Sequence, residues 1–126
     1  MKNLHLKRGK EESLCRFHPW VFSGAIQSAD ENLEDGDLVR VMSSEGKFIA
    51  IGHFQKGSIA VRVLTFRDVP IDDEFWYSRL SSALNMRIAI GLADHPENNT
   101  YRLVHGEGDN LPGLVIDIYG QTAVMQ

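Results

Sequence analysis

The spacing of apolar residues changes close to residue 70 of this chain. Before that point, short segments such as Ile59–Leu64 alternate between two sets of positions, and glycine-containing turns separate them. Such alternation is typical of strands. After Asp68-Val69-Pro70, apolar residues recur every four positions from Trp76 to Leu92, which indicates a helix. The chain therefore combines a β-rich first part with a second part that begins with a long helix.

The first part is predicted to be a small barrel. Strands are expected at Asn3–Lys7, around Trp20 and Phe22, and at Leu38–Met42, Lys47–Phe54 and Ile59–Leu64. A short helix is expected at Lys10–Phe17 and should stop before Pro19, because a residue preceding proline avoids helical angles. Strands this short, joined by glycine turns, predict a compact, closed β-barrel of about 65 to 70 residues.

The second part is predicted to pack one helix on an antiparallel sheet. Asp72 is the expected N-cap of the helix, and the stripe from Trp76 to Leu92 is expected to face a core rather than a cofactor. Gly106–Gly113 is expected to be a turn in which Gly108 and Gly113 take positive φ. Strands are expected at Tyr101–His105, Leu114–Tyr119 and Thr122–Met125, and a sheet ending at Gln126 looks incomplete. We therefore expect a mixed α/β fold that is cut short at its C-terminus.

The composition is that of an ordinary globular protein. The 126 residues are 43% hydrophobic and 24% charged, and no apolar run approaches the ~20 residues that span a bilayer. The N-terminus does not resemble a secretory signal. A single cysteine, Cys15, excludes an internal disulfide and fits best as a small hydrophobic residue. We expect a cytoplasmic protein with no membrane partner.

The charge is distributed unevenly. The net charge is -4, but residues 1 to 67 carry ten basic and eight acidic side chains (+2), whereas residues 68 to 126 carry three and nine (-6). Within Leu6–Ala25, four cations accompany the rings of His18 and Trp20. Phosphates are bound by cations and unstacked bases by flat rings, so this segment is a candidate nucleic-acid contact. The alternative is a solvated surface helix followed by a core tryptophan.

No catalytic constellation is evident. His105, Glu107 and Asp109 could suggest a metal site, but the loop lacks the EF-hand order and is better explained as a turn. No serine has the context of a strained nucleophile turn. The carboxylates at Asp72-Asp73-Glu74 complement the helix dipole. The sequence favours a binding module over a self-sufficient enzyme.

Two segments resemble one protein family. Leu6-Lys7-Arg8-Gly9-Lys10, continuing through Arg16-Phe17-His18-Pro19-Trp20 to Ala25, resembles the start of bacterial class I S-adenosylmethionine-dependent methyltransferases that modify cytosine C5 in large-subunit rRNA. Tyr101-Arg102-Leu103-Val104-His105 through Gly113 to Gly120 is similar to a second signature of that family. The order and spacing of the two segments also agree with it.

The resemblance implies two domains and a missing third. Residues 1–68 would be an RNA-binding PUA domain, and residues 71–126 the start of the family's central α/β linker domain. The catalytic domain, which carries the S-adenosylmethionine site, would follow Gln126. The fragment itself would then hold no cofactor and no metal, would not catalyse methyl transfer, and would have large-subunit rRNA as its partner.

The resemblance also supplies the candidate RNA-contacting residues. These are Lys7, Arg8, Lys10, Arg16, His18 and Trp20. Lys47 and Lys56 lie outside the two similar segments and are further candidates because of their place on hairpins. The arginines would act as forks on phosphate and the lysines as point charges. The residues alone leave open whether Trp20 and Phe22 lie in the barrel core. They also leave open an adaptor that binds a protein, a scaffold without RNA affinity, and a homodimer formed through an exposed strand edge.

Overall fold

The computed structural model describes all residues, Met1–Gln126, and the chain divides into two compact units, Met1–Val69 and Pro70–Gln126. The first unit contains one sheet with strand order β2-β6-β5-β4-β1-β3. Its strands are β1 (Lys2–Leu6), β2 (Trp20–Phe22), β3 (Ile26–Ala29), β4 (Leu38–Met42), β5 (Phe48–Phe54) and β6 (Ile59–Thr65). β1 runs parallel to β4, and all other neighbouring strands are antiparallel.

The sheet of the first unit is a curled half-barrel. β2 and β3 are its two end strands and do not pair with each other, yet only the 3-10 turn Ser23–Ala25 connects them. The sheet is therefore curled, so that its two edge strands lie close enough to be joined by three residues. One core fills the concave side. The expected mixed α/β class is confirmed, but barrel closure is not, because the 3-10 turn stands where a closing strand pair would be.

Gly52 allows β5 and β6 to approach closely. A Cβ atom there would lie 2.7 Å from Val61 Cγ1 and would also overlap the carbonyl oxygen of Arg62. The register of the β5–β6 pair shifts at Ile51 and Gly52, so the close approach coincides with a bulge. Any larger residue would force the two strands apart.

The second unit contains a helix, α2 (Asp73–Ala89), and a three-stranded antiparallel sheet. The sheet order is β7-β8-β9, formed by β7 (Thr100–His105), β8 (Val115–Tyr119) and β9 (Thr122–Met125). The expected N-cap is confirmed, since Asp72 Oδ1 accepts a hydrogen bond from the Phe75 N–H at 3.0 Å. No helix of the structure combines the length and apolar content needed to cross a bilayer.

The buried face of α2 differs from the expected stripe. Trp76, Leu80 and Ala83 pack with the core of this unit, but Leu84 and Ile88 are 38% and 42% exposed. Because an α-helix has 3.6 residues per turn, side chains four residues apart differ by about 40° around the helix axis. After two such steps, the side chain no longer faces the core. The buried position near the end of the helix is instead Arg87.

Three local expectations also need correction. The early helix, α1, spans only Glu12–Cys15, because Phe17 adopts a left-handed conformation (φ 64°) before Pro19 is reached. Gly106, Gly113 and Asn110 take positive φ in the loop before β8, whereas Gly108 does not. β3 was not expected, because Ile-Gln-Ser-Ala gives no alternating strand pattern and its pairing with β1 is long-range.

Candidate nucleic-acid interface

The strand pairing brings one set of strand ends together. β1 is parallel to β4, and β5 is antiparallel to both β4 and β6. The C-terminal ends of β1, β4 and β6 therefore lie at the same end of the sheet. β2 starts at this end too, because Trp20 pairs with Arg62 and the Val63 N–H donates to the Pro19 carbonyl at 2.7 Å. The segment Lys7–Pro19, which links β1 to β2, is therefore anchored here at both of its ends.

This end of the sheet carries unpaired cations, and we call it the cationic end. The side chains are exposed and make no ion pair or hydrogen bond. They belong to Lys7, Arg8, Lys10, Arg16, Lys47 and Arg67. Four acidic residues lie in or next to the same segments, namely Glu11, Glu12, Glu45 and Asp68, and Asp68 is already paired with Arg40. Positive charge therefore predominates here in a chain whose net charge is -4. A local positive field of this kind attracts a polyanion.

The structure does not bring Lys56 to the cationic end. Lys56 lies in the β5–β6 hairpin at the opposite end of the sheet, where its backbone N–H donates to Asp35 Oδ1 at 2.8 Å. The acidic segment Asp30–Asp37 supplies the neighbouring residues there. Lys56 therefore lies apart from the other seven candidates.

Three rings form a cluster next to the cationic end. The ring of His18 lies 6.0 Å from that of Trp20 and 6.1 Å from that of Phe22, and Trp20 lies 6.4 Å from Phe22. His18 Nδ1 lies 3.3 Å from both the backbone N–H and the backbone carbonyl of Trp20, which orients the imidazole. Val21 is the residue of β2 that faces the core, so its two neighbours lie on the outer side of the strand. This resolves the open alternative: Phe22 is 49% exposed, and Trp20 is half-buried outside the core cluster.

A pocket of about 350 Å³ joins the ring cluster to the cations. It lies between α1 and β2, with Lys10 and Ser13 on one side and Trp20, Phe22 and Gly24 on the other. Ligand pockets in proteins begin at about 300 Å³. The structure thus places one candidate cation, Lys10, beside one candidate stacking ring, Trp20.

Sequence reasoning missed two residues of this region. Phe17 is 72% exposed and packs edge-to-face on Phe66, which directly follows β6, at a centroid distance of 5.2 Å. Arg67 adds a cation beside them. The sequence shows only that Phe17 is adjacent to Arg16, because its contact with Phe66 depends on the β2–β6 pairing between residues more than forty positions apart.

The second unit contains a different type of polar centre. Arg87 forms a buried ion pair with Asp109, at 2.7 Å from Nη1 to Oδ1 and 2.8 Å from Nη2 to Oδ2. Burial opposes ionisation of Asp109, but hydrogen bonds from Arg87 and from the His105 N–H outweigh it and hold the pKa of this carboxyl below its usual value. Asp109 thus has a structural role in the loop. No group of three or more histidine, cysteine or acidic side chains could hold a metal ion.

The first unit is thus a half-barrel module with a cationic and aromatic end. Residues 4–66 match the model of the PUA-like domain family, and the chain belongs to that family. Comparison with curated proteins gives 39% identity over 125 residues to the ribosomal RNA large subunit methyltransferase I of Erwinia tasmaniensis, and 41% to that of Yersinia pseudotuberculosis. Each alignment covers 98% of this chain and 31% of the relative, so the chain spans about a third of the length of these proteins.

A solved structure shows the same fold. The chain superimposes with a TM-score of 0.78 on a protein from Streptococcus mutans described as a SAM-dependent methyltransferase. The match has 19% sequence identity and covers 99% of this chain and 32% of the other. It therefore extends the fold assignment over both units.

Proposed function

We propose that this chain is the RNA-recognising part of a large-subunit rRNA methyltransferase, and that RNA binds at the cationic end. One observation supports this most directly: the cations of Lys7–Pro19 are exposed and unpaired, and they meet an outward-facing ring cluster. Identity of 39–41% to rRNA methyltransferases over nearly the whole chain supports the choice of RNA. Arg8 and Arg16 would bind phosphates as forks, and Lys7, Lys10 and Lys47 as point charges.

The rings would contribute base contacts. A single-stranded RNA exposes the faces of its bases, and each base stacked on an aromatic side chain adds affinity without requiring a given sequence. The His18 imidazole is oriented by its contact with the Trp20 backbone, and the pocket lined by Trp20 also includes Lys10. A phosphate on Lys10 would place the attached nucleotide near Trp20.

The residues of this chain do not fit an S-adenosylmethionine site. Such a cofactor binds at a glycine-rich loop between a strand and a helix. The glycine-rich segment here, Gly106–Gly113, joins β7 to β8 within an antiparallel sheet. We therefore propose that the cofactor is held outside these residues and that the chain alone does not transfer a methyl group from S-adenosylmethionine to rRNA.

The salt dependence of RNA binding tests the proposal. The logarithm of the association constant for single-stranded fragments of large-subunit rRNA should fall linearly with the logarithm of the salt concentration. The slope should be roughly -0.7 per phosphate contact. Arg8→Glu combined with Arg16→Glu should weaken binding and make the slope shallower by about 1.4. Lys56→Glu is the control, because it reverses an exposed charge at the opposite end of the sheet.

The outcomes separate the alternatives. If the double variant binds RNA as well as the parent, the cationic end is not the RNA site. If the parent chain has no RNA affinity at any salt concentration, the chain acts as a scaffold. Salt-insensitive capture of a protein would instead favour the adaptor.

A further inference from the structure

Helix α1 ends in a left-handed residue that is not glycine. Phe17 has φ 64°, and its N–H donates to the Leu14 carbonyl at 2.9 Å, while the His18 N–H donates to Ser13 at 3.0 Å. Helix α2 ends with the same hydrogen-bond pattern, but there the left-handed residue is Gly91, with φ 81°. Glycine is preferred at this position because a Cβ atom is strained there. Phe17 therefore occupies a position where the backbone disfavours it.

Burial does not compensate for this strain. The Phe17 side chain is 72% exposed, so the fold gains little from its apolar surface. Phe22, the next most exposed phenylalanine, is 49% exposed. An outlier that neither the local backbone nor the core explains is grounds for a functional hypothesis.

The ring is nevertheless held in place. Phe66 meets it at 5.2 Å with an interplanar angle of 85°, and Phe66 itself packs against the core of the first unit. The peptide on either side carries exposed Arg16 and His18. Phe17 thus presents a supported flat surface to solvent, with a cation one residue away to meet a phosphate.

We propose that Phe17 is a base-stacking site for one unpaired nucleotide of the bound RNA. The inference rests on the proposed function, and it adds a residue outside the His18–Trp20–Phe22 cluster. The base lies on the exposed surface of the Phe17 ring, Phe66 supports that ring, and Arg16 binds the adjacent phosphate. The strained backbone fixes the direction in which the ring points, so little conformational freedom is lost on binding.

The test uses the full 126-residue chain and a single-stranded rRNA fragment that contains 2-aminopurine, whose fluorescence falls when it stacks on an aromatic ring. Phe17→Leu should lower the affinity by about 5- to 150-fold, the range for loss of one base–aromatic stack. It should also abolish one component of the quenching and leave the salt slope unchanged. Phe17→Trp should retain both affinity and quenching. Tyr77→Leu, which removes another highly exposed ring in the second unit, should have no effect.

A second variant separates binding from folding. Phe17→Gly relieves the backbone strain, so the urea midpoint should stay the same or rise while RNA affinity falls as in Phe17→Leu. Wild-type affinity and quenching in Phe17→Leu would overturn the inference while leaving the proposed function intact. If the parent chain fails to bind RNA at low salt, the proposed function and the inference are both wrong.

Discussion

Arg87 and Asp109 form a two-pronged ion pair inside the second unit, with side chains that are 10% and 3% exposed. Arg87 Nε also donates to the Arg102 carbonyl at 2.9 Å, and Asp109 Oδ2 accepts the His105 N–H at 2.6 Å. The pair therefore connects α2 to β7 and to the loop that follows it. Removing one partner would leave the other buried without its counter-charge.

Asp109→Ala should destabilise the second unit by about 3–5 kcal/mol, the usual cost of leaving a buried charge unpaired. Urea denaturation followed by Trp76 fluorescence in a Trp20→Phe background reports on this unit, because Trp76 packs against its core. Asp117→Ala is the control: its partner Arg102 is 49% exposed, and such pairs contribute about 1 kcal/mol or less. Equal costs for the two variants would contradict the structural role of the buried pair.

The same pair predicts a pH dependence. The pKa of Asp109 is lowered in the folded state, so its contribution to stability is fully present above the unfolded value of about 3.9 and is lost as pH falls through the folded pKa. Asp109→Asn removes this titration. The stability difference between the parent and Asp109→Asn should therefore shrink on acidification below about pH 4. A difference that stays constant or grows on acidification would show that Asp109 does not titrate in this way.

Gly52→Ala should destabilise the first unit by about 1–3 kcal/mol, because the added methyl group would press against β6. Gly24→Ala provides a matched control, since a Cβ atom at that position has nothing within 4 Å. Thermal unfolding followed by Trp20 fluorescence in a Trp76→Phe background measures both. The prediction is wrong if the two substitutions shift the midpoint equally.

Trp20→Phe should leave the first unit as stable as the parent to within about 1 kcal/mol, or make it more stable. The buried Nε1–H of Trp20 has no hydrogen-bond partner, and an unsatisfied buried donor costs about 1–3 kcal/mol, which offsets the apolar area that phenylalanine loses. Trp20→Ala loses that area without replacing it and should be clearly less stable. Circular dichroism during urea titration measures these variants. A large loss of stability in Trp20→Phe would mean that the indole N–H has a partner in solution.

The homodimer left open by the sequence is testable at β9, whose residues are all exposed and which has β8 as its one strand neighbour. Val115 and Gln126 exchange backbone hydrogen bonds, so by alternation the N–H groups of Ala123 and Met125 point to the free edge. Ala123→Pro should remove one edge donor and shift a concentration-dependent dimer to monomer in sedimentation, while the β8–β9 pairing survives. A parent chain that stays monomeric at high concentration would refute the pairing.

Local patterns predicted much of the fold. Period-two alternation located β1 and β6, strand-forming residues between turns located β4 and β5, and the Asp72 cap located the start of α2, because these signals lie within a few residues of chain. β3 and the curl of the sheet depend on pairing between distant strands, which alternation does not encode. The pattern of α2 was misread after Leu80, because a buried arginine with a partner in a distant loop replaced the expected apolar residue.

The candidate site was predictable as a segment but not as a surface. Composition located the cations and rings of Lys7–Trp20, but it could not separate Lys56 from Lys47, which the topology places at opposite ends of the sheet. Phe17 was not predicted, because its placement depends on one backbone angle and on a contact with Phe66.

The pairing of β2 with β6 also has a consequence for biosynthesis. Trp20 leaves the ribosome more than forty residues before Arg62, its partner across the strands. A nascent chain therefore displays the basic segment long before the segment can take its final shape. The ring cluster, which depends on the β2–β6 pairing, can therefore form only after β6, ending at Thr65, has been synthesised.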